Sequence, residues 1–318
     1  MSTIIVGGGI VGTAVAYFLA ERRERDVTLL ERAELGSGTS KGGLGGIRHQ
    51  FVDELDVRLS KIASAFWRNY DDLTGARHDF LQRGYLFIAN TPEGLAELEA
   101  PMPLYERVGV NVEMVDRVAI NDLVPGIRLD DVVGGRFGAE DGYGDPLQAL
   151  AGFAAFATLG GVTIREGVTV RELIRNGDRV TGVRTGEGDL LADRVLLATG
   201  CWTAPLAATA DVVVPIWPYA RSIMESQAIP TLNRSPMVIE LESGFHFRPK
   251  ANQVRFAMPN ITHDGSIEKG PSGAPSAYPG EYTPLEVAAG LEPWVRARAA
   301  WRHPAFADVQ IRSSWSCY

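Results

Sequence analysis

Cysteine is almost missing. Cys201 and Cys317 are the only two in 318 residues, too few for a disulfide framework, so a reducing, cytoplasmic compartment is the expectation. No uncharged run approaches the length of a membrane span, and no spanning helix is expected. The N-terminus is apolar but has no basic region ahead of its apolar run, so it does not read as a signal peptide. Lysine is confined to Lys41, Lys61, Lys250 and Lys269; arginine carries the positive charge, and nothing functional follows from that. There is no internal repeat and no acidic or basic tail. With 31 basic and 39 acidic side chains the net charge is −8, which disfavours nucleic acid and anionic membrane surfaces as partners. The five histidines, His49, His78, His246, His263 and His303, show no metal-ligand spacing, and no metal site is expected.

What is present begins at Thr3. An apolar content of 45% supports a full core, and the length suits two domains or one large discontinuous one. Thr3 to Val6 is a short β-branched run that predicts a buried strand. Gly7, Gly9 and Gly12 follow in G-x-G-x-x-G spacing. Ile10, Val11, Ala14, Val15, Phe18 and Leu19 keep one helix face apolar. Val27 to Leu30 is a second buried strand, and Glu31 closes it, nineteen residues beyond Gly12. Each part has a task in binding a dinucleotide. Gly7 permits the turn, Gly9 lets a pyrophosphate approach the backbone, and Gly12 lets the helix pack on the sheet. The N–H groups and positive end of the helix face the phosphates. Glu31 can accept hydrogen bonds from ribose hydroxyls, which argues against a 2′-phosphate.

Residues 31–51 hold six glycines together with Ser37, Thr39 and Ser40. They read as a loop lying against the cofactor and ending in Arg48-His49. Asp53 is a plausible N-cap for one long amphipathic helix marked by Leu55, Leu59, Ile62, Phe66, Tyr70 and Leu73. Gly84 to Ala89 predicts a strand, Thr91-Pro92-Glu93 a capped helix start, and residues 111–137 short strands with a short helix. A helix opens at Asp145-Pro146. Strands follow at Val162 to Ile164 and Val168 to Ile174, then a hairpin at Asn176-Gly177-Asp178 and a strand at Arg194 to Ala198. From Val212 to Met258 the pattern is strand after strand. Residues 264–283 read as a polar loop, Leu285 to Trp301 as a helix and Val309 to Tyr318 as a strand.

With these residues in view, the sequence resembles the D-amino-acid-oxidase-like FAD-dependent oxidoreductase superfamily, in its sarcosine oxidase and glycine oxidase group. The markers in order are Gly7, Gly9, Gly12 and Glu31-Arg32; Thr39-Ser40 and Gly45-Gly46-Ile47-Arg48; and Asp141-Gly142 with Asp145-Pro146. The strand Thr169 to Leu173, the segment Leu197 to Trp202, Pro215 to Pro218 and Ser314 to Tyr318 complete the set. The fold implied is α/β (α+β overall), a Rossmann-type FAD-binding domain interwoven with an antiparallel-sheet substrate domain. The expected division is FAD-binding 1–80, substrate 81–140, FAD-binding 141–211 and substrate 212–318. Members normally continue past the Trp-Ser-Cys-Tyr segment through a further FAD-binding loop and helix, so the resemblance implies that this C-terminal segment is missing here.

The resemblance also implies roles. FAD is the cofactor. Glu31 holds its ribose, Thr39 and Ser40 stand on the pyrophosphate side, the main chain at Val170 meets adenine, and Thr199-Gly200 pass beneath the phosphates. Arg32, Gly45, Gly46 and Trp202 belong to the same cofactor-side markers. For Val170 an ordinary core position remains open, and for Thr199-Gly200 a plain turn. Arg48 is the candidate for gripping a substrate carboxylate, a task suited to a guanidinium's two parallel charged hydrogen bonds; a structural salt bridge is the alternative. His49 either tunes protonation beside it or is a buried, satisfied histidine. His246 faces either the pocket or solvent. Arg255 stands where related oxidases carry a lysine that promotes reaction with oxygen, and arginine does not readily give up a proton. Cys317 is either a covalent flavin link or an ordinary thiol.

The implied reaction is oxidation of the C–N bond of a small secondary amine or amino acid, sarcosine- or glycine-like, by hydride transfer to flavin. The alternatives are a 2-hydroxy-acid dehydrogenase and a non-catalytic flavin-binding subunit of a larger flavoprotein complex. Binding of NAD in place of FAD would leave the later markers without purpose.

Overall fold

The computed structural model describes residues 1–259, 287 and 290–318. The expected loop at 264–283, with His263 and Lys269 in or beside it, lies outside the described residues, as does the start of the helix expected from Leu285.

The chain opens as its pattern predicts, with strand Thr3–Val6, helix Ile10–Glu21 and strand Val27–Leu30. These strands join Arg194–Leu197 and Thr163–Arg165 in a parallel four-stranded sheet, with Thr3–Val6 between Val27–Leu30 and Arg194–Leu197. Parallel strands need crossovers, and a parallel sheet is buried on both faces. The helices Ile10–Glu21 and Pro146–Leu159 cover one face, where Ala16, Ala20 and Ala157 allow close approach beside Ile5 and Leu29. The meander Val170–Asn176, Arg179–Thr185 and Gly188–Leu191 covers the other, with Leu173 and Val183 against Ile4, Val6 and Leu30.

An eight-stranded sheet forms the second body. It takes strands from residues 85–138, 221–257 and 311–317. It is antiparallel except where Met237–Glu240 runs parallel to Tyr85–Ala89, a pairing that alternation cannot reveal because either direction presents the same side-chain period. One face carries Leu86, Ile88, Met224, Val238, Phe247, Val254 and Phe256, packed against Leu291, Val295 and Ala299 of helix Leu291–Arg302. The opposite face looks toward the glycine-rich segment.

Two local expectations change. The glycine-rich segment holds a short helix Thr39–Gly42 and a two-residue strand Gly46–Ile47 that pairs with Gly142–Tyr143. The long helix is two helices, Glu54–Arg68 and Tyr70–Thr74, broken at Asn69. Asp53 caps the first by accepting the Leu55 N–H at 2.8 Å. Only the far end of its apolar stripe is packed, with Phe66 and Tyr70 against Tyr17 and Phe153. Leu55, Leu59 and Ile62 are 64%, 54% and 70% exposed, so a correct period pointed to a face that these residues do not bury.

Candidate active site

The sheet-to-helix turn sets the first half of the site. Gly7 has φ +107°, and a Cβ there would stand 2.5 Å from the Ala198 carbonyl oxygen. A Cβ on Gly12 would overlap the Gly7 carbonyl. Both positions therefore exclude any side chain. Gly9 ends the turn as N-cap without a side chain, and no acidic residue occupies the first turn of the helix. The Ile10 N–H donates to Ser40 Oγ at 2.9 Å, which brings a hydroxyl to the positive end of the helix. Glu31 accepts the Gly8 N–H at 2.6 Å and the Ala33 N–H at 3.0 Å, which fixes its carboxylate beside the turn. Val168 N–H donates to the Glu31 carbonyl at 2.8 Å, bringing the start of Val170–Asn176 to the same end. Ala198 N–H donates to the Val6 carbonyl at 2.8 Å, so Thr199 and Gly200 follow directly over Gly7. Arg32 lies 4.1 Å over the Trp202 ring. This cradle of side-chain-free backbone, a helix N-terminus, a hydroxyl and a ribose-range carboxylate fits an adenine dinucleotide, FAD included.

The second half lies where residues 42–48 cross the large sheet. Trp315 Nε1 donates to the Gly42 carbonyl at 3.2 Å, and a Cβ on Gly42 would stand 2.7 Å from Cys317 Sγ. Gly45 has φ +69° and abuts the Gly144 carbonyl; Gly46 abuts the Tyr85 hydroxyl. Paired residues share a sheet face, and the registers Phe87↔Arg136, Ile239↔Phe87, Ile239↔His246, Arg248↔Arg255 and Glu225↔Arg255 place these side chains on one face with Tyr85, Trp315 and Cys317. The face is cationic and aromatic.

Each charged group on it has its own setting. Arg48 is half-buried, 4.6 Å over Phe51 and 5.5 Å over Phe87. Arg136 donates to Gln50 Oε1 at 2.9 Å and the Leu98 carbonyl at 2.7 Å. Arg255 pairs with Glu225 at 2.8 Å and lies 5.0 Å over Trp315. Arg248 is buried, 4.9 Å over Tyr143, and burial, reinforced by the charge of Arg255, lowers its pKa to about 10. Burial pushes Tyr85 up to about 12 against the pull of Arg48 and Arg248. His246 Nδ1 lies 2.8 Å from the Gly244 carbonyl, so that nitrogen carries the proton and Nε2 is left as an acceptor. Burial lowers the His246 pKa, the Gly244 hydrogen bond raises it, and the Arg221 charge lowers it further. Burial raises the Cys317 thiol.

His49 is a buried residue with its partners in place. Its Nδ1 is 2.6 Å from Asp141 Oδ1, which also accepts the His49 N–H at 2.8 Å, while Asp141 Oδ2 accepts from Gln50 at 2.9 Å. Gly7, Gly9, Gly12, Glu31, Ser40, Thr199 and Gly200 thus gather at the first crossover, and Arg48, His246, Arg255 and Cys317 share the sheet side with Gly45 and Gly46. Thr39 opens the short helix that carries Ser40. Sequence reasoning missed Tyr85, Glu225 and Arg248. Arg248 was within reach, since it is two residues beyond His246 on a strand of period two. Among the described residues no cluster of three or more His, Cys, Asp or Glu is placed to hold a metal ion, and no helix is long and apolar enough to cross a membrane.

The sequence profile described as DAO, FAD dependent oxidoreductase, matches residues 2–318. The chain is 33% identical over 256 residues to 4-methylaminobutanoate oxidase (formaldehyde-forming) of Paenarthrobacter nicotinovorans, covering 79% of this chain and 31% of that protein. It is 27% identical over 260 residues to the mitochondrial dimethylglycine dehydrogenase of Rattus norvegicus, covering 80% of this chain and 30% of that one. The crystal structure of L-proline dehydrogenase from P. horikoshii superposes with a TM-score of 0.87 at 26% identity, over 100% of this chain and 80% of the other. The chain therefore spans under a third of the length of these two curated relatives.

Proposed function

This chain belongs to the DAO family of FAD dependent oxidoreductases, and from that premise we propose that it takes part in oxidising the C–N bond of a small secondary amine or amino acid. The observation that carries the reading is the cationic and aromatic sheet face set directly against the bend at Gly42–Arg48. The segment from Ser40, at the Gly7–Gly12 turn, to Arg48 joins the dinucleotide cradle to that face.

FAD, when bound, supplies the hydride acceptor for the carbon beside the substrate nitrogen. The rest falls to the chain. Gly7, Gly9, Gly12, Glu31 and Ser40 hold the adenosine and pyrophosphate end, with the main chain at Val170 and Thr199-Gly200 alongside. Arg48 offers a guanidinium fork to a carboxylate, and its seat over Phe51 and Phe87 limits its rotation. His246, whose pKa is lowered by burial, can accept a hydrogen bond from the substrate nitrogen at Nε2 and so help to orient the amine. Tyr85, Phe87 and Trp315 exclude water from the face. Arg255 is held by Glu225, and a guanidinium, unlike a lysine amine, does not readily give up a proton, which favours electron transfer to an acceptor other than oxygen. The substrates for which these relatives are named, methylaminobutanoate, dimethylglycine and proline, lie within the proposed substrate class.

Anaerobic titration of the flavin-loaded protein with N-methylated amino acids, simple amino acids and 2-hydroxy acids tests this reading. Bleaching of the flavin absorbance by the first two sets and not the third is expected. Bleaching by hydroxy acids alone would overturn it.

A further inference from the structure

Among the described residues three arginines are under 5% exposed, Arg136, Arg248 and Arg302, and they are treated differently. Arg136 has no carboxylate partner but gives its Nε to Gln50 Oε1 and its Nη1 to the Leu98 carbonyl. Arg302 is fully buried and is ringed by acceptors: the Glu240 carboxylate, Asp131 at 3.0 and 3.1 Å, and the Arg128 carbonyl at 2.6 Å. That is how a buried cation is made tolerable, since an unpaired one is costly. Arg248 is 3% exposed. Its Nη1 donates to the Pro249 carbonyl at 2.9 Å, and its Nε has no partner, the only buried guanidinium nitrogen in that condition among the described residues. No carboxylate lies within ion-pairing distance of it among those residues. Glu225 is taken by Arg255, and Asp145 faces Lys250 at 3.8 Å while capping its own helix. The charge directly across the strand pair is Arg255, which repels it. Arg248 shares a face with Tyr85, whose hydroxyl touches Gly46 of the bend, so the unsatisfied fork is on the side where substrate is expected.

We propose that Arg248 is an anion-binding residue of the substrate site, and that its guanidinium binds the carboxylate of the substrate from beneath while Arg48 closes on it from the bend. The substrate is then an amine that carries a carboxylate. This rests on the proposed reading of the bend and sheet face as the substrate site. A guanidinium fork is matched to a carboxylate in geometry as well as charge. Removal of such a charged contact weakens binding by roughly 10- to 100-fold.

The test uses the flavin-loaded protein titrated with acetate and with acetamide, followed by flavin absorbance and by heat of binding. For Arg248→Met, acetate binding is expected to weaken roughly 10- to 100-fold while acetamide binding is unchanged, and Arg248→Lys is expected to recover part of the acetate affinity. The KM for an N-methylamino acid rises in Arg248→Met, whereas the KM for the corresponding N-methylalkylamine does not. Unchanged acetate binding in both variants, or an equal loss for acetate and acetamide, overturns the proposal. If Arg248→Met does not load flavin, a crystal of the flavin-loaded native protein with acetate decides. A carboxylate oxygen within about 3 Å of Arg248 Nε supports it, and acetate held by Arg48 alone, or none near Arg248, overturns it. A protein whose flavin is bleached by amines but fails these tests keeps its proposed reaction and loses only this residue's role.

Discussion

The contact between Gly46 and Tyr85 sets how closely the bend approaches the sheet, and a double-mutant cycle can measure it. A methyl group at Gly46 would stand 3.0 Å from Tyr85 Cζ and 3.5 Å from Cε2, and would overlap the hydroxyl oxygen. Tyr85 is 5% exposed and paired in register with Met237 and Gly138, so its ring has no open side. Gly46–Ile47 is tied to Gly142–Tyr143. In Gly46→Ala either the bend lifts or the ring leaves its rotamer, an overpacking cost of about 1–3 kcal/mol. For a chain of this size that lowers the melting temperature by about 2–10 °C. The same lift displaces the segment that leads from Ser40 to Arg48, so FAD affinity falls too. Tyr85→Phe removes the overlapping oxygen and leaves Cζ as the nearest atom, a contact that needs only a few tenths of an ångström of relief. Gly46→Ala/Tyr85→Phe should therefore melt above Gly46→Ala, with a coupling of at least about 1 kcal/mol in the direction of rescue. Thermal melts by circular dichroism and FAD titration by flavin fluorescence read both quantities. Additive effects, or a Gly46→Ala protein that melts with the parent, would refute the argument that the hydroxyl sets the spacing.

Further expectations follow from the same geometry. Ser40→Ala removes the acceptor of the Ile10 N–H and should cost about 1 kcal/mol of stability and roughly fivefold in FAD affinity; fluorescence titration checks it. Glu240→Ala strips the buried partner of Arg302 and Arg298 and should destabilise by about 3–5 kcal/mol, read as the midpoint shift in urea. His303 accepts the Ala305 N–H at Nδ1 and lies 3.1 Å from the Pro125 carbonyl at Nε2, and burial lowers its pKa below 6.5. The unfolded chain thus binds a proton first as pH falls below 6.5, and native stability drops from there down to the lowered native pKa, by at most about 1.4 kcal/mol per pH unit for this group. His303→Gln should flatten that part of the stability profile; an unchanged slope would remove His303 as its source.

The parts of the fold written into short stretches were readable from the sequence. Strands Thr3–Val6 and Val27–Leu30 and the glycine turn between them came out at their bounds because each glycine answers to an atom a few residues away or to the neighbouring strand. The helix after Asp53 was seen by its period, but which face another element covers is decided by residues far along the chain, and Leu55, Leu59 and Ile62 are exposed. The parallel pairing of Met237–Glu240 with Tyr85–Ala89 escaped for the same reason. Arg48 and Cys317 were singled out through a resemblance in their motifs. The place of Arg248 on the face of His246 could be read from the strand period, but its lack of a carboxylate partner appears only when Glu225 is seen to be engaged with Arg255 and Asp145 to face Lys250.

Trp315 clasps the carbonyl of Gly42 across 273 positions of chain. During synthesis, then, the segment Gly42–Arg48 emerges long before this part of its wall, which is absent until the strand Ile311–Cys317 has emerged and docked on Arg221–Ala228. Contacts of such long range form late and slowly, so the bend meets Trp315 only after the residues between them have been made and folded.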